Sequence, residues 1–158
     1  QYRNMLGKVK QYLGIEGMKF SLEIPEIILK NSEAIEGNIV LTSKNTQTAR
    51  AFRIKLIEKY SRGRRKSKLI NEYDVGMIQL KKNVVVSANT TEKIPFKLPF
   101  KISDSRMDEF GNQFFLLRGV IQLAKWSNAV KSEYRIEAEA DVVGTALDPN
   151  FSKTIIIK

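Results

Sequence analysis

The sequence predicts an all-β fold, an antiparallel β-sandwich, because apolar and polar residues alternate along several segments that turn residues separate. The alternation is clear in residues 18–24, 94–100 and 134–142. A period of two places one face of each strand on a core and the other in water. Repeated strands of this kind between turns are typical of an antiparallel sandwich.

Eight segments are predicted to be strands. Their bounds are 18–24, 34–43, 48–61, 68–82, 84–87, 91–101, 132–144 and 154–158. Gly37 marks a bulge or a close backbone approach within the second segment. In the third, strict alternation would bury Glu58 and expose Ile57, so a bulge near Ile57 would restore the apolar pattern.

A short helix is predicted within residues 1–15, ahead of a single sandwich domain over residues 16–158. Apolar residues of the helix recur on one face, and Gly14 is suited to end it. The helix either caps one end of the sandwich or lies on a membrane surface. Residues 102–113 are expected to form a loop, whereas residues 114–130 favour neither strand nor helix.

The composition excludes several kinds of chemistry. The chain has 158 residues, no cysteine and no histidine. Disulfides, thiolate metal sites, Ser-His-Asp triads and Cys-His pairs therefore cannot form. No stretch approaches the roughly 18–20 apolar residues that cross a bilayer. A cytoplasmic protein without enzymatic activity, cofactor or metal is expected.

Two groups of carboxylates are the remaining candidates for chemistry. Asp104, Asp108 and Glu109 lie in the predicted loop, but no sugar-stacking residues accompany them, so glycosidase chemistry is not favoured. The row of acids on residues 137, 139 and 141 follows one strand face. Residues two apart on a strand are roughly 7 Å apart, so these acids are expected to pair with lysines across strands rather than to share one ion.

The basic residues suggest binding to an anionic partner. The net charge is +10, and residues 50–68 carry nine basic residues and one acid, a net +8. The candidate anion-binding and partner-binding residues are Arg62, Arg64, Arg65, Lys66 and Lys68 of a predicted hairpin, with Arg53 and Lys55 on the strand before it. Phosphate and acidic lipid headgroups are candidate ligands, and a solvated loop is the alternative. Nucleic acid is not favoured, because no aromatic residue interleaves the basic run.

Two prolines, Pro95 and Pro99, lie on the polar face of the sixth predicted strand. Proline cannot donate a hydrogen bond to a neighbouring strand, so this segment is expected to be an edge strand or to contain bulges. Such an edge resists aggregation or accepts a partner chain only on its unblocked side.

Four stretches of the chain follow a family pattern. They are the Met5-Leu6 helix, residues 32–40 (SEAIEGNIV), residues 94–99 (IPFKLP) and residues 139–149 (EADVVGTALDP). Their order resembles the N-terminal half of the bacterial sporulation-control (SpoOM-like) proteins of the arrestin-fold group. In this chain Asn31-Ser32 stands where that family usually has Pro-Gly.

The resemblance implies an immunoglobulin-like, arrestin N-terminal-like sandwich of about seven strands. It also implies a non-enzymatic adaptor or regulatory domain that binds a protein partner through strand edges. The basic hairpin would then be the analogous anion-binding surface by charge. The alternative function is a peripheral membrane or polyanion-binding module, in which the hairpin meets an acidic surface.

Overall fold

Two β-sheets face each other in a computed structural model, which describes residues 17–63, 68–102 and 131–158. The strands are β1 (Lys19–Glu23), β2 (Ile27–Ile28), β3 (Ala34–Thr42), β4 (Gln47–Arg62), β5 (Leu69–Val86), β6 (Thr91–Pro99), β7 (Lys131–Val142) and β8 (Asn150–Ile157). One sheet has three strands in the order β1-β3-β6, and the other has five in the order β2-β8-β7-β4-β5. Every pair is antiparallel except β2 with β8. The predicted all-β sandwich is confirmed.

The strand bounds follow the predicted segments closely, with three differences. β5 is one strand where the sequence predicts two, and β8 begins at Asn150 rather than at residue 154. β2 has no counterpart among the predicted segments. The predicted helix within residues 1–15 lies outside the described residues, as do residues 103–130, so the predicted division into helix and domain stays a prediction.

The hydrophobic core lies between the two sheets. Phe20 of β1 stacks on Phe52 of β4, with ring centroids 6.3 Å apart. Ile39 and Leu41 of β3 and Ile54 of β4 are fully buried in the same cluster. The inward-facing residues of the predicted alternation therefore fill the core from both sides.

A β-bulge lies beside Ile57, but the extra residue belongs to the neighbouring strand. Leu56 pairs with Gly76 and Ile57 pairs with Asp74, so Val75 of β5 has no partner in β4. The pairing of β4 with β7 continues through this point without a shift. The bulge predicted in β4 near Ile57 is therefore found in β5 instead, and β4 keeps its alternation from Phe52 to Tyr60, its own register shift lying between Ala49 and Ala51.

Because β4 keeps its alternation, Glu58 points inward and is only 4% exposed. Its carboxylate accepts hydrogen bonds from Ser132 Oγ at 2.8 Å and Tyr134 Oη at 3.4 Å. A buried carboxylate is tolerated when hydrogen-bond donors replace the water that it has lost. These two donors on β7 explain how an acid can occupy an inward position.

Gly37 allows β1, β3 and β6 to lie close together. The register on both sides of β3 is unbroken, so no bulge occurs at this residue. A Cβ at this position would overlap the carbonyl oxygen of Glu23 and would lie 2.8 Å from Cγ2 of Ile24. The close backbone approach, one of the two predicted reasons for this glycine, is therefore confirmed.

Candidate partner-binding surface

The basic segment lies in the hairpin that joins β4 to β5. Arg62, the last residue of β4, pairs in register with Leu69, the first residue of β5. Lys68 is exposed and Arg62 is half-buried. Three further candidate residues lie outside the described residues: Arg64, Arg65 and Lys66. The predicted position of the basic run between two paired strands is confirmed, and its ligand stays a prediction.

Arg53 and Lys55 point to solvent from β4, the strand between β7 and β5. The Arg53 guanidinium lies 2.9 Å from a carboxylate oxygen of Glu139. Lys55 Nζ lies 3.1 Å from a carboxylate oxygen of Asp74. A neighbouring carboxylate therefore balances the charge of each of these two predicted anion-binding residues.

The same balance extends along the whole interface between β4 and β7. Arg50 donates a hydrogen bond to Asp141 at 2.8 Å, which raises the pKa of the Arg50 guanidinium. At the other end of the strand pair, Lys59 lies 4.0 Å from Glu133. Of the predicted row, Asp141 and Glu139 pair across strands with arginines of β4, whereas Glu137 pairs with Arg135 of its own strand, so the partners are arginines rather than the predicted lysines.

Arg135 connects β7 to the far strand β5. Its guanidinium donates to both carboxylate oxygens of Glu72, at 2.6 and 2.8 Å, and to Glu137 at 2.6 Å. These hydrogen bonds raise the pKa of Arg135 and lower the pKa of Glu72. Exposed ion pairs of this kind contribute little stability each, but they balance the charge of Arg135 with two carboxylates.

An open concavity of about 280 Å³ lies over β4, β7 and β8. Arg53 and Lys55 line it together with Glu137 and Glu139. Because both signs of charge line its wall, the concavity is not a cationic pocket. Within the described ranges, no three His, Cys, Asp or Glu residues form a group that could hold a metal ion. The loop carboxylates Asp104, Asp108 and Glu109 lie outside those ranges.

The prolines of β6 block the outer side of an edge strand. Among the strands that the structure describes, β6 pairs with β3 alone. The Phe100 N–H donates to Glu33, toward β3, while the Lys101 N–H donates to Val75 on the opposite side. Since alternate residues of an antiparallel strand point to opposite sides, Pro95 and Pro99 fall on the outer side. The predicted edge strand is confirmed.

β5 is the long edge of the five-stranded sheet, and in the described part of the chain it is open except where the Lys101 N–H donates to the Val75 carbonyl oxygen. It spans eighteen residues and pairs with β4 alone among the described strands. The other edges are shorter or blocked, because β2 has two residues, β1 has five and β6 carries the two prolines. Residues 75–80 of β5 carry no charge, although charges and prolines are the usual protection of an exposed edge.

Exposed apolar side chains accompany this edge. Leu69 and Ile70 follow the basic hairpin directly, and Met77 is 59% exposed on the outer face. β5 is not among the binding edges predicted from the sequence. Its six consecutive uncharged residues would have been the signal, but the order of strands in a sheet is needed to recognise an edge.

In comparisons with known proteins, no family model matches the chain, and no curated protein matches it either. Among the described residues, no helix is long and apolar enough to cross a membrane.

The crystal structure of Spo0M, a sporulation control protein from Bacillus subtilis, superimposes with a TM-score of 0.60 at 11% sequence identity. The match covers 89% of this chain and 49% of Spo0M, so the chain spans about half the length of that protein. At this identity the likeness shows the fold alone, and it supports a Spo0M-like fold rather than the arrestin family as a whole.

Proposed function

We propose that this chain is a cytoplasmic, non-enzymatic regulatory domain that binds an extended segment of a partner protein along β5. The basic hairpin, defined as residues 62–68, would contact acidic residues of the same partner. Lys68, the last residue of this segment, directly precedes Leu69, the first residue of β5, so its described end adjoins that strand.

The open edge of β5 carries this proposal. An added strand gains main-chain hydrogen bonds along an exposed edge, while its side chains provide specificity. Unprotected edges are otherwise avoided because they promote aggregation. An eighteen-residue edge whose residues 75–80 carry no charge, beside edges that are short or blocked, is therefore a candidate site for a partner strand.

The regulatory role draws on the structural likeness. Spo0M is described as a sporulation control protein, and the present chain shares its fold over about half of that protein. A binding role also agrees with a sequence that lacks histidine and cysteine, the usual bases and nucleophiles of neutral-pH catalysis.

Proline placed on the outer side of β5 is expected to abolish strand addition. Of the neighbours Ile78 and Gln79, one directs its N–H toward β4 and the other directs it outward. Both Ile78→Pro and Gln79→Pro are made, and the variant that keeps the wild-type melting temperature identifies the outward residue. That variant should bind the partner about tenfold more weakly. Proline removes one main-chain N–H donor from β5, and the carbonyl oxygen of the partner strand that would accept its hydrogen bond stays unpaired.

The measurement is quantitative capture of proteins from a lysate of the native cells. Any protein that the wild type captures and the β5 proline variant does not is then titrated to measure its affinity. Lys97→Pro is the matched control, since Lys97 lies on the outer side of β6, an edge that two prolines already block. A protein captured by the wild type and by Lys97→Pro, but lost with the β5 variant, would support the proposal. Equal capture by all three would contradict it.

A second function, binding to an acidic membrane or another polyanion, is favoured by the distribution of charge. The cations of β4 at positions 50, 53, 55 and 59 each face a carboxylate. The five basic residues of the basic hairpin therefore carry much of the net charge of +10. Such clusters bind anionic headgroups at low salt.

Replacing Arg64, Arg65 and Lys66 together with Ser is expected to weaken this binding about 100-fold, at about 1 kcal/mol for each cation near an anionic surface. Sedimentation with anionic and neutral vesicles at about 50 and 300 mM salt measures the loss, because screening should remove the attraction at the higher salt. Unchanged binding with an unchanged melting temperature would refute a role for the basic hairpin.

A further inference from the structure

An open concavity of about 330 Å³ lies at the end of the three-stranded sheet. The register places Lys19 of β1, Thr42 of β3 and Thr91 of β6 side by side in one row that lines this concavity. Directly opposed residues of antiparallel strands are about 5 Å apart at Cα, so the row spans roughly 10 Å. Because Lys19 alternates with the buried Phe20, the row faces outward.

Two turns extend the wall of the concavity beyond this row. The turn between β3 and β4 contributes Ser43 and Lys44, and the turn between β5 and β6 contributes Asn89 and Thr90. The Asn89 N–H donates to the carbonyl oxygen of Ser43 at 2.8 Å. Ser43 is buried, and its hydroxyl donates to the side chain of Gln47 at 2.8 Å. The two turns are thus joined to each other and anchored below the surface.

The charged residues that line this concavity within the described ranges are all cationic. Lys19 and Lys44 are its charged residues in the described part of the chain, where neither has an ion-pair partner. On the same sheet, Lys93 and Lys97 are paired with Glu23 and Glu36 at 2.7 and 3.3 Å. The concavities over the five-stranded sheet, in contrast, include carboxylates in their walls.

We propose that this concavity binds the phosphate group of a phosphorylated ligand. Phosphate oxygens accept charge-assisted hydrogen bonds from lysine ammonium groups, and the hydroxyls of Thr42 and Thr91, which line the same concavity, can also donate. A volume of about 330 Å³ leaves room beside the phosphate for the group that carries it.

This phosphate site is separate from the basic hairpin. The turn that bears Lys44 precedes β4, whereas the basic hairpin follows β4. A strand of sixteen residues is roughly 50 Å long at about 3.3 Å per residue. The two sites therefore lie at opposite ends of the sandwich, and their effects can be measured independently.

The test is a titration of the ¹⁵N-labelled chain with inorganic phosphate, at an ionic strength held constant with chloride. The backbone amides of Lys44, Asn89 and Thr91 are expected to shift in a saturable manner. The double variant Lys19→Gln/Lys44→Gln should bind phosphate about tenfold more weakly, because each substitution removes a charged donor while keeping the length of the side chain.

Two further variants serve as controls. Lys97→Gln removes a paired lysine from the same sheet and should bind phosphate like the wild type. The triple Ser variant of residues 64–66 should do the same, which separates this site from the basic hairpin. The proposal is overturned if phosphate shifts none of these amides, or if the double variant and Lys97→Gln respond alike.

A second experiment distinguishes the possible sources of the phosphate group. It measures sedimentation with phosphatidylcholine vesicles that contain or lack phosphatidic acid. If the double variant sediments less with the phosphatidic acid vesicles than the wild type does, the site takes a lipid headgroup. If vesicle binding is equal while the phosphate titration differs, the site takes a phosphorylated molecule from solution. Both results support a phosphate site once the phosphate titration distinguishes the double variant from Lys97→Gln, and without that difference the proposal is overturned.

Discussion

Phe52→Ala is expected to lower the free energy of unfolding by about 3–5 kcal/mol, the usual loss for a buried phenylalanine. Phe52 is 1% exposed, and its ring stacks on Phe20 of the opposite sheet with centroids 6.3 Å apart. The substitution therefore removes apolar contact from both sheets and leaves a cavity between them. Urea denaturation followed by circular dichroism measures the change in free energy. In a thermal melt, the same loss corresponds to a fall of roughly 6–20 °C in melting temperature.

Met77→Ala is the control for this substitution. Met77 lies on the outer face of β5 and is 59% exposed, so its loss should change stability by no more than about 0.5 kcal/mol. A loss below about 1 kcal/mol for Phe52→Ala would contradict the packing described here, because so small a cost is typical of a site that is not enclosed.

The strands of the sandwich were predictable because alternation is a local property of the sequence. β3, β4, β6 and β7 each lie within a residue or two of a predicted segment, since each has one face in the core. β2 was missed because two residues are too short to show a period. It forms only where Ile27 and Ile28 meet β8 from the other end of the chain.

The ion pairs of the five-stranded sheet show why the basic surface was only partly predictable. Arg50 and Asp141 are 91 residues apart in the chain, so counting charges along residues 50–68 could not include the acid. The same limit applies to the bulge at Val75, since a bulge belongs to a strand pair rather than to one strand. The row of Lys19, Thr42 and Thr91 likewise depends on register, which the sequence does not state.

Gly37→Ala is expected to destabilise the chain by about 1–3 kcal/mol, the usual cost of inserting a methyl group into a filled space. The new Cβ would overlap the Glu23 carbonyl oxygen and would lie 2.8 Å from Cγ2 of Ile24. Without that clash the substitution would stabilise by about 0.4–1 kcal/mol, because alanine reduces the entropy of the unfolded chain. The sign of the change in a urea titration therefore reports the close approach directly.

Two variants separate the backbone clash from other effects of replacing a glycine. Gly144 has a φ of 78°, and no atom lies within 4 Å of the position that a Cβ would take there. Gly144→Asn should therefore be nearly neutral, since asparagine tolerates the left-handed region. Adding Ile24→Ala to Gly37→Ala removes the nearer side-chain contact and leaves the Glu23 carbonyl in place. Because Ile24 itself packs against the core, the double variant is compared with Ile24→Ala alone. It should stay less stable than that single variant, because a backbone atom held in the pairing of β1 with β3 cannot move aside as a side chain can. Equal stability of the two would show instead that Ile24 limits the space at Gly37.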